Sequence, residues 1–352
     1  MIAVVSVAGC GEPPPAGGAV DAGAGDGDVA PTPAEFTYVE VSGTTCANGT
    51  PAGLGVSPQA GADELVVLIA GGGACWDDWT CFGLNAAVNL STTYGAQVMA
   101  AELAPIIASG LVDRGDPASR AGAANLAYLP YCTGDLHAGT VVRRYQTDVA
   151  GTMRDVHHVG RLNMAALAPA LAVRFPDVSR VYLVGLSAGG YGAMLDYDLF
   201  AAAFPAAEVH LLADGSAWLP TPQGEWATWQ ARWQAALPAG CADCATRPEA
   251  IIAHLRTAAP TRRFGLITTT NDEVIRAFFG YGVFGDITAQ VGALVDRQYP
   301  AASANAHAYV EAGTQHVLLG GYRTRTGPGG VPLKQFVDGW FDGDAGFATV
   351  RP

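Results

Sequence analysis

The chain has 352 residues, half of them hydrophobic and 14% charged, with a formal charge of −13 at pH 7. That length can bury a large core, as one sizeable domain or two small ones. The acidic balance argues against nucleic acid and anionic membrane surfaces as partners, because both attract basic faces.

Residues 1–10 read as the tail of a secretory segment ending in the lipobox-like run Val7-Ala8-Gly9-Cys10. Small residues there suit signal cleavage, after which Cys10 would carry lipid; no Lys or Arg precedes the apolar run, and the competing reading is a short apolar tail. Residues 11–35 are Gly, Ala, Pro and Asp with almost nothing to bury, as in a disordered linker. The folded part is expected over residues 36–352. No other run is apolar and long enough to span a bilayer, so membrane contact is expected only through a lipid on Cys10. The remaining cysteines, Cys46, Cys75, Cys81, Cys132, Cys241 and Cys244, form an even set, which in an exported protein suggests disulfides. Cys75–Cys81 and Cys241–Cys244 would close local loops, leaving Cys46–Cys132 by elimination. A redox or zinc half-site at Cys241-Ala-Asp-Cys244 is the rival, and it lacks a second C-x-x-C.

The alternating run Phe36 to Val41 predicts a first strand. Glu64 to Ala70 is uninterrupted and apolar, as in a strand covered on both faces, and it leads into Gly71-Gly72-Gly73-Ala74-Cys75-Trp76. Glycines there let the backbone approach a ligand; the Lys-Ser/Thr ending of a phosphate loop is absent. Residues 85–109 predict a helix and Asn125 to Pro130 a strand. The loop Tyr131 to Gly139 follows that strand, so its Asp135 and His137 either line a site or pin the loop. Residues 149–175 predict a long helix whose His157 and His158 receive no role.

Arg180 to Val184 reads as a buried strand and Tyr191 to Asp196 as a helix start, with Gly185-Leu186-Ser187-Ala188-Gly189-Gly190 between them. A G-x-S-x-G between strand and helix makes an elbow that lifts a serine hydroxyl above the sheet edge. It also aims the next N–H, that of Ala188, at a developing oxyanion. Further strands are expected at Glu208 to Ala213, ending at Asp214; at Phe264 to Thr270, ending at Asn271-Asp272-Glu273; and at Ala306 to Val310, before a loop with Gln315 and His316. Trp226, Trp229 and Trp233 recur at helical spacing, in a lid or cap whose aromatic face belongs to a core or to a sugar platform. A last helix is expected from Pro332 to Phe341. Strands alternate with helices throughout, which predicts an α/β fold: one doubly wound, mainly parallel sheet flanked by helices.

A serine needs a base, and the base needs a carboxylate to orient it. The chain order Ser, Asp, His is met by Ser187, Asp272 and His316, each after a predicted strand. Asp214 and Glu273 compete with Asp272 for the acid. The N–H groups of Gly73, Ala74 and Ala188 are the expected oxyanion donors.

Together these motifs resemble the pectin acetylesterase/Notum family: Gly71 to Cys75, Tyr131 to Gly139, Gly185 to Gly190, Asn271-Asp272-Glu273 and Gln315-His316. The resemblance covers roughly residues 36–345. It implies a secreted, disulfide-bonded, metal-independent serine carboxylesterase of α/β-hydrolase-like fold, without cofactor. Ser187, Asp272 and His316 take its triad positions, and Gly73, Ala74 and Ala188 its oxyanion positions. Plant members remove acetyl groups from pectin, and Notum removes a fatty acyl group from a signalling protein. This chain departs from the pattern at Ala74, where the family often has Trp (Trp76 comes two residues later), and at Val317, where plant members have Cys after the histidine. The departures leave the reaction class intact and bear on the substrate, as does the acidic charge, since pectin is itself a polyanion. The expected partner is an acylated carbohydrate or another ester, with Trp76, Asp135 and His137 as candidate substrate contacts. A lipase or polyester depolymerase, a protein deacylase, and an inactive surface-binding lipoprotein are the alternatives.

Overall fold

The computed structural model describes residues 35–352. The lipobox-like segment and all but the last residue of the linker expectation lie outside the described residues.

The chain begins with β1 (Thr37–Thr45), β2 (Pro51–Ser57), β3 (Glu64–Ile69), α1 (Ala96–Ala108) and β4 (Asn125–Leu129). It continues through β5 (Val141–Gln146), β6 (Met153–His158), α2 (Gly160–Arg174), β7 (Arg180–Leu186), α3 (Ala188–Leu195), α4 (Tyr197–Ala203) and β8 (Glu208–Asp214). The last part holds α5 (Glu225–Trp233), α6 (Ile251–Ala258), β9 (Phe264–Thr269), α7 (Glu273–Phe278), α8 (Thr288–Gln298), β10 (Ala306–Glu311) and α9 (Leu333–Asp342).

Leu65 to Ile69 and Val181 to Val184 are completely buried, as expected of central strands covered on both faces. They lie in an eight-stranded sheet of order β1-β2-β4-β3-β7-β8-β9-β10. β2 runs antiparallel to β1 and β4, and every other neighbouring pair is parallel. Helices pack on the sheet, α3 against β7 and β8, α2 against β1 and β2, and α8 against β10. Because β3, β7, β8, β9 and β10 point the same way, their C-terminal ends share one edge. The register brings Ile69 level with Gly185, Leu186 with Asp214, and Thr269 with Glu311. Loops at that edge are where an open α/β sheet places a ligand site.

Disulfides join Cys46 to Cys132, Cys75 to Cys81 and Cys241 to Cys244, the pairing expected from the sequence. Among the described residues no helix is long and apolar enough to cross a membrane.

Two helix expectations are corrected. Residues 85–109 are helical only over Ala96–Ala108. Asn85 and Asn89 take positive φ, which interrupts a helix, and the Asn89 amide donates to Glu102 and to the Tyr131 carbonyl instead. Residues 149–175 are not one helix: Met153–His158 pairs antiparallel with Val141–Gln146, and α2 starts only at Gly160. That hairpin sits apart from the main sheet and depends on pairing with a segment the local pattern does not reveal. His158 is fully buried, with Nδ1 2.8 Å from the Thr133 carbonyl. Trp226, Trp229 and Trp233 are core: all three are buried on α5.

His210 on β8 is buried against Tyr182, its Nδ1 accepts the Arg263 N–H, and burial pulls its pKa down to about 3. The fold therefore takes up this proton later than the unfolded chain does, so stability is complete above 6.5 and falls as the pH drops below it. His210→Phe is expected to make stability less pH-dependent, removing about 2 kcal/mol of the loss between pH 7 and about pH 5 in urea titrations.

Candidate active site

The turn from β7 into α3 is tight enough to force Ser187 to φ 54°, ψ −122°, outside the comfortable region for a side-chain-bearing residue. The Ser187 N–H donates to the Asp214 carbonyl at 2.8 Å, and the Ser216 hydroxyl donates to the Ser187 carbonyl at 2.7 Å. Gly189 is required by close approach: a Cβ there would lie 2.0 Å from the Ile69 carbonyl oxygen of the neighbouring strand.

His316 arrives on the loop after β10. Its Nε2 is 2.7 Å from Ser187 Oγ, and its Nδ1 is 2.8 Å from Asp272 Oδ2. A carboxylate at Nδ1 fixes the tautomer: Nδ1–H donates to Asp272, and Nε2 accepts the serine hydroxyl. Asp272 follows β9 and caps α7; its Oδ1 accepts the N–H of Val274 and of Ile275, each at 3.0 Å. One oxygen thus anchors the side chain while the other meets the imidazole. Asp272 is 1% exposed and the His316 side chain 15%, so the imidazole lies at the rim of the site. Of the competing carboxylates, Glu273 opens α7 and is exposed. The buried Asp214 accepts from the backbone N–H groups of Leu318 and Leu319, not from His316. The loop is held on its other side by the Thr269 hydroxyl, which donates to the Gln315 carbonyl at 2.9 Å.

The glycine loop after β3 runs beside the elbow. Among the described residues, nothing accepts the N–H of Gly73 or of Ala188. Both are therefore free to donate to a ligand, as oxyanion donors must be. Ala74 is a correction to the sequence expectation: its N–H donates to the Ala86 carbonyl at 3.0 Å, in a short antiparallel bridge of this loop with residue 87. The Cys75–Cys81 bond closes the same excursion, and the Trp233 indole N–H donates to the Cys75 carbonyl at 2.8 Å.

Asp135 and His137 pin their loop. Asp135 is fully buried and accepts from the Thr133 hydroxyl and the N–H groups of His137, Gly139 and Gly160. Burial pushes its carboxyl up to about 6, against the pull of those donors. His137 has Nε2 2.9 Å from the Ala70 carbonyl, and burial lowers its pKa to about 4. Trp76 is half-buried at the rim, with its ring 5.5 Å from Trp229 and 6.4 Å from Phe278. Among the described residues, the one cluster of metal-binding types is Cys75, Cys81 and His158, and both sulfurs are committed to the disulfide. Sequence reasoning missed the parts played by Gly215 and Ser216; the signal available was a strand ending in Asp-Gly-Ser.

The strand order, the strand–serine–helix elbow and the loops gathered at one sheet edge define an α/β-hydrolase-like protein. A sequence model of the Pectinacetylesterase family matches residues 30–239, more than half of the chain. The chain belongs to that family. The matched stretch contains the glycine loop and Ser187 and ends before Asp272 and His316. Palmitoleoyl-protein carboxylesterase notum1a of Danio rerio is 26% identical over 167 residues, 46% of this chain and 30% of its own length. The notum1' protein of Xenopus laevis is 26% identical over 192 residues, 52% of this chain and 36% of its own length. The alignments thus span about a third of either relative. Two crystal forms of the Wnt deacylase Notum from Drosophila share the fold, with a TM-score of 0.63 at 17% identity over 88% of this chain and 93% of that one.

The elbow geometry has a direct stability test. Gly189→Ala is expected to destabilise by about 1–3 kcal/mol or more, because the methyl group meets a backbone oxygen that cannot retreat. Gly292→Ala, mid-helix in α8 with nothing within 4 Å, is expected to stabilise by about 0.5–1 kcal/mol in the same urea titrations.

Proposed function

We propose that the chain is an exported serine carboxylesterase acting on short acyl esters, with O-acetyl groups on a polysaccharide as the substrate class. The observation that carries this reading is the continuous hydrogen-bonded line from Ser187 Oγ through His316 to Asp272, at 2.7 and 2.8 Å. In this mechanism Ser187 Oγ attacks the ester carbonyl carbon as its proton passes to His316 Nε2. The oxyanion that forms is received by the N–H groups of Ala188 and Gly73. His316 then gives its proton to the departing alcohol, and water, activated by the same nitrogen, releases the acid from Ser187. Asp272 holds Nδ1–H in place and stabilises the imidazolium.

The short-acyl preference rests on what fills the space beside the elbow. Tyr191, one turn after Ser187, packs against Trp218 at 4.5 Å and Phe279 at 5.7 Å. Phe279 in turn packs on Trp229 at 5.4 Å, and all four rings are buried. Phe278 reaches the glycine loop, its ring tip 3.4 Å from where a Cβ on Gly73 would sit. This aromatic wall leaves Trp76 and Phe278 partly open at the mouth, suited to an acetyl or similarly small group. The relatives whose names denote palmitoleoyl removal carry the same reaction class; an acyl chain of that length would need this wall to open. Export is supported by the three disulfides.

Purified protein is expected to hydrolyse p-nitrophenyl acetate faster than butyrate and much faster than palmitate, and to release acetate from acetylated pectin or xylan. Ser187→Ala should abolish turnover, and Asp272→Asn should lower kcat by about 10⁴-fold through loss of the correct tautomer. A maximum on palmitate would replace the deacetylase reading with a lipase-like one. Undiminished turnover by Ser187→Ala would remove the serine mechanism altogether.

A further inference from the structure

Ser187 and His316 come from strands that do not touch: β7 and β10 are separated in the sheet by β8 and β9. Their hydroxyl–imidazole contact therefore needs something to set the spacing. The end of β8 reaches both. On one side, the Asp214 carbonyl accepts the Ser187 N–H at 2.8 Å, and the Ser216 hydroxyl donates to the Ser187 carbonyl at 2.7 Å. On the other, the Asp214 carboxylate accepts the Leu318 N–H, with Oδ1 at 2.9 Å and Oδ2 at 2.8 Å, and the Leu319 N–H at Oδ2, 2.7 Å. Those two donors directly follow Val317, a β-branched residue held at φ 58°. Such a conformation persists only where its surroundings impose it. Between the two anchors, Gly215 at φ 64° lies close beside the imidazole: a Cβ there would come within 3.0 Å of His316 Cε1 and 3.1 Å of Nδ1.

We infer that Asp214 is a positioning residue, whose carboxylate holds the strained Val317 turn and so keeps the His316 imidazole in register with Ser187. This rests on the serine-esterase reading above. Asp214 is completely buried, and its carboxylate hydrogen-bonds the N–H groups of Leu318 and Leu319, while Ser187 Oγ and Asp272 take the imidazole nitrogens; it acts through the backbone of 317–319. A neutral hydrophobic residue of similar size would leave both N–H groups without their acceptor, and the turn would relax toward negative φ. The imidazole would swing away from a contact that is only 2.7 Å long.

The test compares Asp214→Ala, Asp214→Asn and Ser187→Ala with the parent chain on p-nitrophenyl acetate, with thermal unfolding of each. Displacing a reacting group by about 1 Å costs roughly 100-fold, so Asp214→Ala should lose about that factor in kcat with KM within about twofold, since substrate contacts are untouched. Asp214→Asn keeps a carbonyl oxygen able to accept from Leu319 N–H and should recover about tenfold of the loss. This split of kcat from KM, with rescue by the amide, is what a purely structural carboxylate would not produce. If the alanine variant fails to fold, the asparagine variant carries the comparison: a kcat about tenfold below the parent at unchanged KM supports the inference. Parent-like kcat in a folded Asp214→Ala, or in the asparagine variant where alanine does not fold, overturns it while leaving the serine mechanism intact, provided Ser187→Ala is inactive. An active Ser187→Ala removes the mechanism and this inference together.

Discussion

Ser187 is held at φ 54° and ψ −122°, a backbone state that costs a side-chain-bearing residue on the order of 1–3 kcal/mol. Much of the surrounding structure is what keeps it there. The buried centres of β3 and β7 fix the sheet, α3 is drawn so close to the end of β3 that only glycine fits at 189, and the end of β8 grips both the N–H and the carbonyl of the serine. The strain is useful because it aims an oxygen out of the sheet edge and leaves the next N–H, that of Ala188, free to donate to a ligand. The same edge imposes a second strained residue, Val317, and there too β8 supplies the restraint through Asp214. Two uncomfortable turns on strands that are not neighbours are thus stabilised from one strand end.

The loops that complete the edge are braced from outside it. The excursion after Gly73 is closed by the Cys75–Cys81 bond and by a hydrogen bond from the Trp233 indole, and the Tyr145 hydroxyl donates to the Trp76 carbonyl at 3.0 Å. The aromatic helix α5 therefore does two things: it fills the volume beside the elbow and it steadies the loop that carries the Gly73 N–H. The β5–β6 hairpin, which contributes Tyr145 and the buried His158, belongs to the same support. Rigid donors need no reorganisation when charge develops opposite them, which is where electrostatic stabilisation in such sites comes from.

The sequence revealed most where a local pattern meets a strand end. The β3 run, the elbow, and the order Ser187, Asp272, His316 were legible because each couples an apolar strand to the small or polar residues that must follow it, and the structure brings those three side chains into one line. What separates Asp214 from Asp272 was not legible. Both come at the end of a strand or in the loop just after one, and only the three-dimensional path of the loop decides that one meets an imidazole and the other two backbone N–H groups. Ala74 misled for the same reason: its N–H is consumed by Ala86, across a bridge that no spacing announces. The strand Met153–His158 reads locally as helix because its partner strand lies in another segment, and residues 85–95 do so because nothing in the local pattern announces the positive φ of Asn85 and Asn89. Whether Asp135 and His137 line a site or pin their loop turns on burial, which single-residue chemistry does not contain.

The central claim is that Ser187 forms a covalent acyl-enzyme. The most direct measurement is to quench the protein in acid during turnover of p-nitrophenyl acetate and locate the acetyl group by peptide mass spectrometry. Acetyl is expected on the peptide containing Ser187, at the serine itself, and is expected to be lost in Ser187→Ala and in His316→Ala, which lacks the base for acylation as well as for deacylation. Acetyl on any other side chain, or full turnover with no covalent species under conditions that slow deacylation, would contradict it.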